Sequence, residues 1–466
     1  MIGSSHWRSI RRESEVDLDT RLERVAVLGA AGKMGSGITL LLAAEMARQK
    51  IKPENKDRKY VLHAVDLSDD ALCGLLSYLR PQFTKIAEKS IVSLREAYAG
   101  RDDLVENYDI IAAFVDEAMS VVRPSSNLDS AAGSRLIFEA IIENEDVKID
   151  VFKKLDSVCP DAYYLTNTSS IPIGVLDKGA GLGGRIVGYH FYNPPAVQKL
   201  LELITSDQTL PELVDLGNEL AKRLRKKVFP ANDIAGFIGN GHFMRDILHA
   251  TSEVERLKSD LGETGAVYAM NRVSQDYLIR PMGIFQLIDY VGVDVCRFIM
   301  QVMTKHIEGE TLNDDLLDRM AEAGVMGGQY ANGSQKDGVL KYEKGRPVGV
   351  YDLAKGDYRM FDDGDWTKEI DGKLGEMPEG NAAWRALLMD PKKDEKLEAY
   401  FKNLAASDAP GAELAKAYLV RAKEIGEKLV ADGVAESPDI VNGVMTNGFY
   451  HLYGPVNEYA SLVAAA

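Results

Sequence analysis

The chain has few cysteines, no long apolar run and no excess of positive charge. Cys73, Cys159 and Cys296 are scattered without a CxxC spacing, which argues against a disulfide framework or a metal site and fits a reducing cytoplasm. No run of eighteen apolar residues occurs, so no membrane-spanning segment is expected. The formal net charge of −16 argues against a nucleic-acid partner, which would require a basic surface.

At 466 residues the chain is longer than one hydrophobic core usually organises, so two or three domains are expected. Its apolar share of 45% and charged share of 27% are ordinary for a globular protein. The first twenty residues contain Arg8, Arg11 and Arg12 but no apolar segment, so they do not form a secretory signal. We interpret residues 1–21 as a polar tail, with an organellar transit peptide as the alternative.

The first half of the chain alternates between strand and helix patterns. Short apolar segments predict strands at Arg24–Leu28, Tyr60–Val65, Leu136–Ile142, Tyr163–Leu165 and Ile186–Tyr189. Helical periodicity covers Lys33–Gln49 and Ser68–Tyr98, the second broken near Pro81, and the polar stretch Lys50–Lys59 reads as a surface loop. The alternation predicts an α/β fold with helices covering a mostly parallel sheet. We assign it to a Rossmann-type, doubly wound domain over residues 22–228.

The pattern changes after about Phe229. Helical periods over Phe237–Leu257, Thr264–Leu278 and Ile284–Lys305 predict an all-helical second domain over residues 229–345. Residues 342–391 are rich in Gly, Asp and Lys and read as linker and loop. Because the segment Gly433–Gly454 faintly resembles the Thr264–Gly283 region, residues 346–466 are interpreted as a linker plus a degenerate second copy of the helical unit.

A glycine-rich turn joins the first strand to the first long helix. Gly29 allows a tight turn, Gly32 allows close approach of a pyrophosphate, and Gly35 allows the helix to pack on the strand. Lys33 and Met34 open a helix whose unpaired N–H groups would face the phosphates. Asp66 ends the second strand, where it would bind the adenosine ribose and favour NAD over NADP. The alternative is a structural turn with Asp66 as a helix cap.

His190 follows the apolar strand Ile186–Tyr189, and Glu202 lies twelve positions later among apolar residues. A histidine can accept the hydroxyl proton when an alcohol is oxidised, and a carboxylate on its other nitrogen fixes the tautomer. A half-buried carboxylate needs a partner. From spacing alone, a core histidine and an unrelated surface glutamate remain the alternative.

Several blocks of this sequence resemble the 3-hydroxyacyl-CoA dehydrogenase family in order and spacing. They are Glu139–Asn144, Asn167–Ser170, Gly188–Glu202, Gly236–Asn240 and Arg280–Tyr290. The resemblance covers roughly residues 22–345. It implies an NAD-linked enzyme of fatty-acid β-oxidation that oxidises a (3S)-3-hydroxyacyl-CoA reversibly to the 3-oxoacyl-CoA.

The resemblance also implies roles for individual residues. His190 would be the general base, Glu202 its partner, and Ser169 and Asn240 would position the substrate. Glu143, Lys148 and Asn193 would line the nicotinamide half of the cofactor. Lys89 falls where the family has a CoA-contacting lysine, although a solvated charge is the simpler interpretation.

This chain departs from the family at three places. One extra residue separates the first two glycines of the turn, and Asn240 is followed by Gly241 instead of arginine. The family's Lys-Thr-Gly-x-Gly-Phe-Tyr string has become Ser334–Leu340, so a cofactor-contacting lysine there is not transferred.

Two other functions stay open at this stage: a dehydrogenase acting on a hydroxy acid without CoA, and an inactive NAD(H)-binding protein. The family's helical domains usually pair two subunits. The chain is therefore expected to form a homodimer, or a pseudo-dimer in which its own C-terminal segment takes the partner's place.

Overall fold

The computed structural model describes residues 17–330 and 333–464. The chain divides into two units, Met1–Asp233 and Ile234–Ala466. The boundary lies a few residues later than the predicted position 228, because Lys227–Asn232 forms one more strand of the first unit's sheet. Among the described residues, no helix is long and apolar enough to cross a membrane.

The first unit is built on an eight-stranded sheet in the order β3-β2-β1-β4-β5-β6-β7-β8. Every neighbouring pair is parallel except β6 with β7, which is antiparallel. Strands buried on both faces read as continuous apolar runs, and all six residues of β6 are buried. The strands are β1 (Arg24–Leu28), β2 (Val61–Val65), β3 (Val122–Ser125), β4 (Leu136–Glu139), β5 (Tyr163–Thr166), β6 (Ile186–Phe191), β7 (Leu200–Thr205) and β8 (Lys227–Asn232).

Eight helices accompany this sheet in the described part of the first unit. They are α1 (Leu18–Arg21), α2 (Lys33–Lys50), α3 (Asp69–Lys89), α4 (Ile91–Ala97), α5 (Asn107–Val121), α6 (Glu145–Asp156), α7 (Ile173–Ala180) and α8 (Pro211–Arg223). Short 3₁₀ turns occur at Pro53–Asn55 and Leu128–Ala131.

Two local predictions for this unit need correction. The helix after Asp66 continues through Pro81 and ends at Lys89. Pro81 is on the exposed face, where water can solvate the carbonyl that loses its amide donor. The predicted tail overlaps α1, in which Leu18 is buried and Asp17 caps the helix. Residues 1–16 of that predicted tail lie outside the described residues.

The second unit is mainly helical. Its helices are α9 (Gly239–Leu261), α10 (Glu263–Arg272), α11 (Ile284–Val291), α12 (Val293–His306), α13 (Asp315–Glu322), α14 (Trp366–Leu374), α15 (Trp384–Leu387), α16 (Lys393–Ala406), α17 (Pro410–Ala431), α18 (Pro438–Gly448) and α19 (Glu458–Ala464). A π-helical turn, Val273–Tyr277, follows α10.

The segment predicted as linker is instead folded into the second unit. It contains an antiparallel sheet in the order β11-β10-β9, formed by β9 (Leu340–Glu343), β10 (Arg346–Asp352) and β11 (Asp357–Met360). Asp289 of α11 holds this sheet, because its buried carboxylate accepts the backbone N–H groups of Val339 (2.7 Å) and Leu340 (2.8 Å). One hydrophobic core includes residues from α9 to α19, so the C-terminal segment packs with the helices before it.

Candidate active site

The glycine turn has the tight geometry that a dinucleotide requires. Gly29 has a φ of +70°, and a Cβ there would lie 2.4 Å from the Ala140 carbonyl oxygen. A Cβ on Gly35 would lie 1.9 Å from the Gly29 carbonyl oxygen, so neither position admits a side chain. Gly32 caps α2, whose first turn, opened by Lys33 and Met34, has no acidic residue. These features fit an anionic pyrophosphate at the N-terminus of α2.

Asp66 follows β2 directly and belongs to the same turn. Its Oδ2 accepts a hydrogen bond from the Ala31 amide (2.9 Å), and Oδ1 accepts one from the Leu67 amide (2.8 Å). The carboxylate is partly exposed, and each oxygen has a further lone pair for a ribose hydroxyl. Asp66 therefore ties the second strand to the glycine turn, and its position agrees with the expected ribose contact.

His190 and Glu202 face each other across the one antiparallel pair of the large sheet. The two residues are register partners in β6 and β7, and His190 Nδ1 lies 2.8 Å from Glu202 Oε2. Both are buried, Glu202 completely. Because a carboxylate accepts hydrogen bonds, this contact assigns the proton to Nδ1 and makes Nε2 the basic nitrogen.

Tyr192 is a third member of this group, and its role was not predicted. Its hydroxyl donates to the same Glu202 oxygen at 3.0 Å, and its ring lies 4.9 Å from the His190 ring. Burial and the nearby Glu202 raise the pKa of Tyr192 well above its ordinary value, so the phenol stays protonated and donates. Oε2 of Glu202 therefore accepts hydrogen bonds from both His190 and Tyr192.

Ser169 lies in the loop after β5, where Glu143 organises the backbone. Glu143 Oε1 accepts from the Ser169 amide (2.8 Å), the Ser169 hydroxyl (3.3 Å) and the Thr168 hydroxyl (2.6 Å). Burial works to raise the pKa of Glu143, but the Lys148 ammonium and these hydrogen bonds outweigh it and lower the pKa. Glu143 therefore stays ionised and keeps Ser169 in place.

Lys148 stabilises this arrangement through two ion pairs. It is only 1% exposed, and its ammonium contacts Glu139 at 2.5 Å and Glu143 at 3.1 Å. Burial works to lower the pKa of Lys148, whereas the two carboxylates raise it above its ordinary value. The contacts that the structure shows for Lys148 are these two carboxylates, and its direct contact with a cofactor stays a prediction.

The other predicted residues occupy separate places. Asn193 is partly buried and lies in the loop that joins β6 to β7. Asn240 is the second residue of α9, in the second unit, and is also partly buried. Lys89 is the exposed last residue of α3, which agrees with the simpler interpretation of a solvated charge.

Two family models match most of this chain. Residues 24–234 match the model described as 3-hydroxyacyl-CoA dehydrogenase, NAD binding domain, and residues 261–342 match 3-hydroxyacyl-CoA dehydrogenase, C-terminal domain. A probable 3-hydroxyacyl-CoA dehydrogenase of Caenorhabditis elegans is 30% identical over 69% of this chain and 97% of its own length. The chain belongs to the 3-hydroxyacyl-CoA dehydrogenase family.

Two further relatives of this 3-hydroxyacyl-CoA dehydrogenase family member extend the comparison. A probable 3-hydroxybutyryl-CoA dehydrogenase of Deinococcus radiodurans is 31% identical over 46% of this chain and 75% of its own. The solved structure of 3-hydroxybutyryl-CoA dehydrogenase from Escherichia coli is 20% identical in sequence. The match covers 95% of this chain and 92% of that chain, with a TM-score of 0.63. The fold is therefore shared over nearly the whole chain, and family membership makes the protein an NAD-dependent oxidoreductase.

Sequence reasoning missed several supporting residues of this dehydrogenase. Glu139 ends the buried strand β4 and accepts the Thr166 hydroxyl (2.5 Å) and the Ile141 amide (2.8 Å). Asn167 Oδ1 accepts the Phe191 amide at 2.8 Å, which links the ends of β5 and β6. The sequence could have indicated these residues, because a carboxylate or amide at the carboxyl end of a buried strand requires a hydrogen-bond partner.

Proposed function

We propose that this enzyme oxidises a (3S)-3-hydroxyacyl-CoA to the 3-oxoacyl-CoA with NAD, reversibly. The observation that carries the proposal is the buried pair of His190 and Glu202 at 2.8 Å, next to the end of a strand in a sheet that also presents the glycine turn. Ligands of such sheets bind at the carboxyl ends of the strands. The relatives' names, which include 3-hydroxyacyl-CoA and 3-hydroxybutyryl-CoA dehydrogenases and a peroxisomal fatty acid beta-oxidation protein of rice, support an acyl-CoA substrate.

His190 Nε2 would take the proton of the C3 hydroxyl. Bound NAD supplies the acceptor for the hydride that leaves C3. Glu202 stabilises the imidazolium that forms, and its burial strengthens that interaction because little water screens it. Tyr192 donates to Glu202 and keeps the carboxylate oriented toward the ring.

Ser169 and Asn240 would hold the oxygens of the substrate, so that C3 is presented for transfer in a near-attack arrangement. Glu143 positions Ser169 through two hydrogen bonds from that residue and one from the neighbouring Thr168 hydroxyl. Gly29, Gly32, Gly35 and Asp66 would bind the adenosine and pyrophosphate parts of NAD. Glu143 and Asn193 would face the nicotinamide half.

The decisive experiment is the substitution His190→Gln, assayed by NADH formation from short, long and ring-bearing 3-hydroxyacyl-CoA thioesters. Loss of a general base lowers kcat by about 10²–10⁴-fold. NADH affinity should stay close to that of the wild type, since the imidazole acts on the substrate. His63→Gln is a matched control, because His63 lies on β2, four strands away in the sheet.

Three outcomes would reject the proposal. Full activity of the His190→Gln variant would remove the assigned base. Wild-type activity that persists when the CoA moiety is deleted from the substrate would indicate a hydroxy-acid dehydrogenase. NADH binding without turnover on any thioester of the panel would instead indicate an inactive NAD(H)-binding protein.

A further inference from the structure

Lys226 contacts the loop that joins the strand of His190 to the strand of Glu202. Its ammonium donates to the carbonyl oxygens of Pro195 and Gln198, the second at 2.6 Å. The Nζ atom also lies 5.6 Å from the centre of the Phe191 ring, within the range of a cation–π contact. One side chain therefore bridges two points of a loop that contains Asn193.

The same loop packs against the dinucleotide-binding helix on its other side. A Cβ on Gly37 of α2 would lie 2.9 Å from Pro195 Cδ, so helix and loop are in close contact. The amides of Val197 and Gln198 both donate to the Pro194 carbonyl, at 3.0 and 2.9 Å. The loop is thus a compact turn between α2 and the Lys226 ammonium.

Lys226 has no carboxylate within ion-pair distance among the described residues. Burial lowers the pKa of Lys226 to about 8, and its neighbours in the chain, Arg225 and Lys227, are also cationic. A partly buried cation without a counter-ion works against the stability of the fold.

We propose that Lys226 is a positioning residue that holds the Asn193–Gln198 loop in the conformation that binds the nicotinamide half of NAD. The inference rests on the proposed function, because Asn193 is the cofactor contact that the loop carries. Lys226 acts through carbonyl groups and does not touch the reacting atoms. Removing its charge would free the loop from one side and weaken NADH binding while leaving the His190–Glu202 pair formed.

The test measures the NADH dissociation constant by fluorescence from pH 6.5 to 9.5. Lys226→Met should bind NADH about tenfold more weakly at pH 7, because the loop loses both hydrogen bonds from the ammonium and only part of that loss reaches the cofactor site. Wild-type affinity should fall toward the variant's as the pH rises through about 8, since the ammonium loses its proton there. Lys226→Arg keeps its charge at every pH of the titration and should lack this fall.

Lys222→Met is the control, because Lys222 is an exposed lysine in the last turn of α8, one turn earlier in the chain. It should bind NADH as the wild type does. Thermal unfolding separates positioning from structure: Lys226→Met should melt close to the wild-type temperature at pH 7, because removing a partly buried cation without a counter-ion offsets the loss of its two hydrogen bonds.

Wild-type affinity that is independent of pH, or Lys226→Met affinity equal to that of the wild type, would overturn the inference. If Lys226→Met does not fold, the pH titrations of the wild type and Lys226→Arg still decide it. Intact NADH binding without acyl-CoA turnover would contradict the proposed function alone, so the two failures can be told apart.

Discussion

At the scale of single residues, the site depends on how one carboxylate is held. Glu202 is completely buried and accepts from both His190 and Tyr192 through Oε2. A buried carboxylate without such donors would be strongly destabilised. The alternative of a core histidine with an unrelated surface glutamate is therefore excluded by the geometry, and the catalytic role of the pair stays a prediction.

Substitution of Glu202 by glutamine should lower kcat by about 10²-fold, near the lower end of what general-base catalysis contributes. The amide is neutral and cannot stabilise the imidazolium, although its shape fits the same place.

Tyr192→Phe removes a single hydrogen bond of about 1 kcal/mol and should lower kcat only about fivefold. Steady-state kinetics at saturating NAD checks both, and equal effects of the two changes would contradict this ranking.

At the scale of elements, local patterns predicted β1, α2, β2 and the strands β4 to β6. The strands β7 and β8 were not predicted. Leu200–Thr205 has an acid in an otherwise apolar run, and Lys227–Asn232 contains Pro230 at the edge of the sheet. The segment 342–391 was misread because its residues look like a linker, whereas Gly345 and Gly356 lie in the two turns of a small sheet.

The contact between the glycine turn and α2 makes a prediction for Gly35→Ala. The added Cβ would meet the Gly29 backbone, which cannot yield as a side chain can, so α2 must shift. We expect the free energy of unfolding to fall by about 1–3 kcal/mol. NADH should bind at least about tenfold more weakly, because a contact with its phosphates is lost.

Gly74→Ala is the matched control for Gly35→Ala. Gly74 lies within α3, and a Cβ there meets no atom within 4 Å. Alanine should stabilise this exposed helix by about 1 kcal/mol and leave NADH affinity unchanged. Chemical denaturation and NADH titration of both variants measure the difference, and wild-type NADH binding by Gly35→Ala would contradict the assigned role of the turn.

At the scale of the whole molecule, the C-terminal segment completes the core of the second unit. Helix α17 packs on α9, and a Cβ on Gly241 would lie 3.0 Å from Leu429 Cδ2. The glycine at this position, where the family usually has arginine, therefore leaves room for α17. The second helical copy proposed from the sequence stays a prediction, but helices do occupy its expected place.

Because α17 covers α9 within one chain, we expect the protein to be a monomer of 51.2 kDa. Size-exclusion chromatography with light scattering measures the mass directly. A dimer whose interface is formed by α9 to α12, mapped by cross-linking, would contradict the expectation.

The amino-acid sequence by itself determined the fold class and the cofactor, and it indicated His190 as the candidate base, a role that stays a prediction. These depend on local features: glycines at a turn, apolar periodicity and a histidine beside the end of a strand. Only the tertiary structure decided that His190 and Glu202 are register partners, that Lys148 is buried between two carboxylates, and that Lys226 donates to two carbonyl groups of the loop between β6 and β7. Those contacts depend on strand direction and register, which join residues far apart in the chain and which spacing alone does not specify.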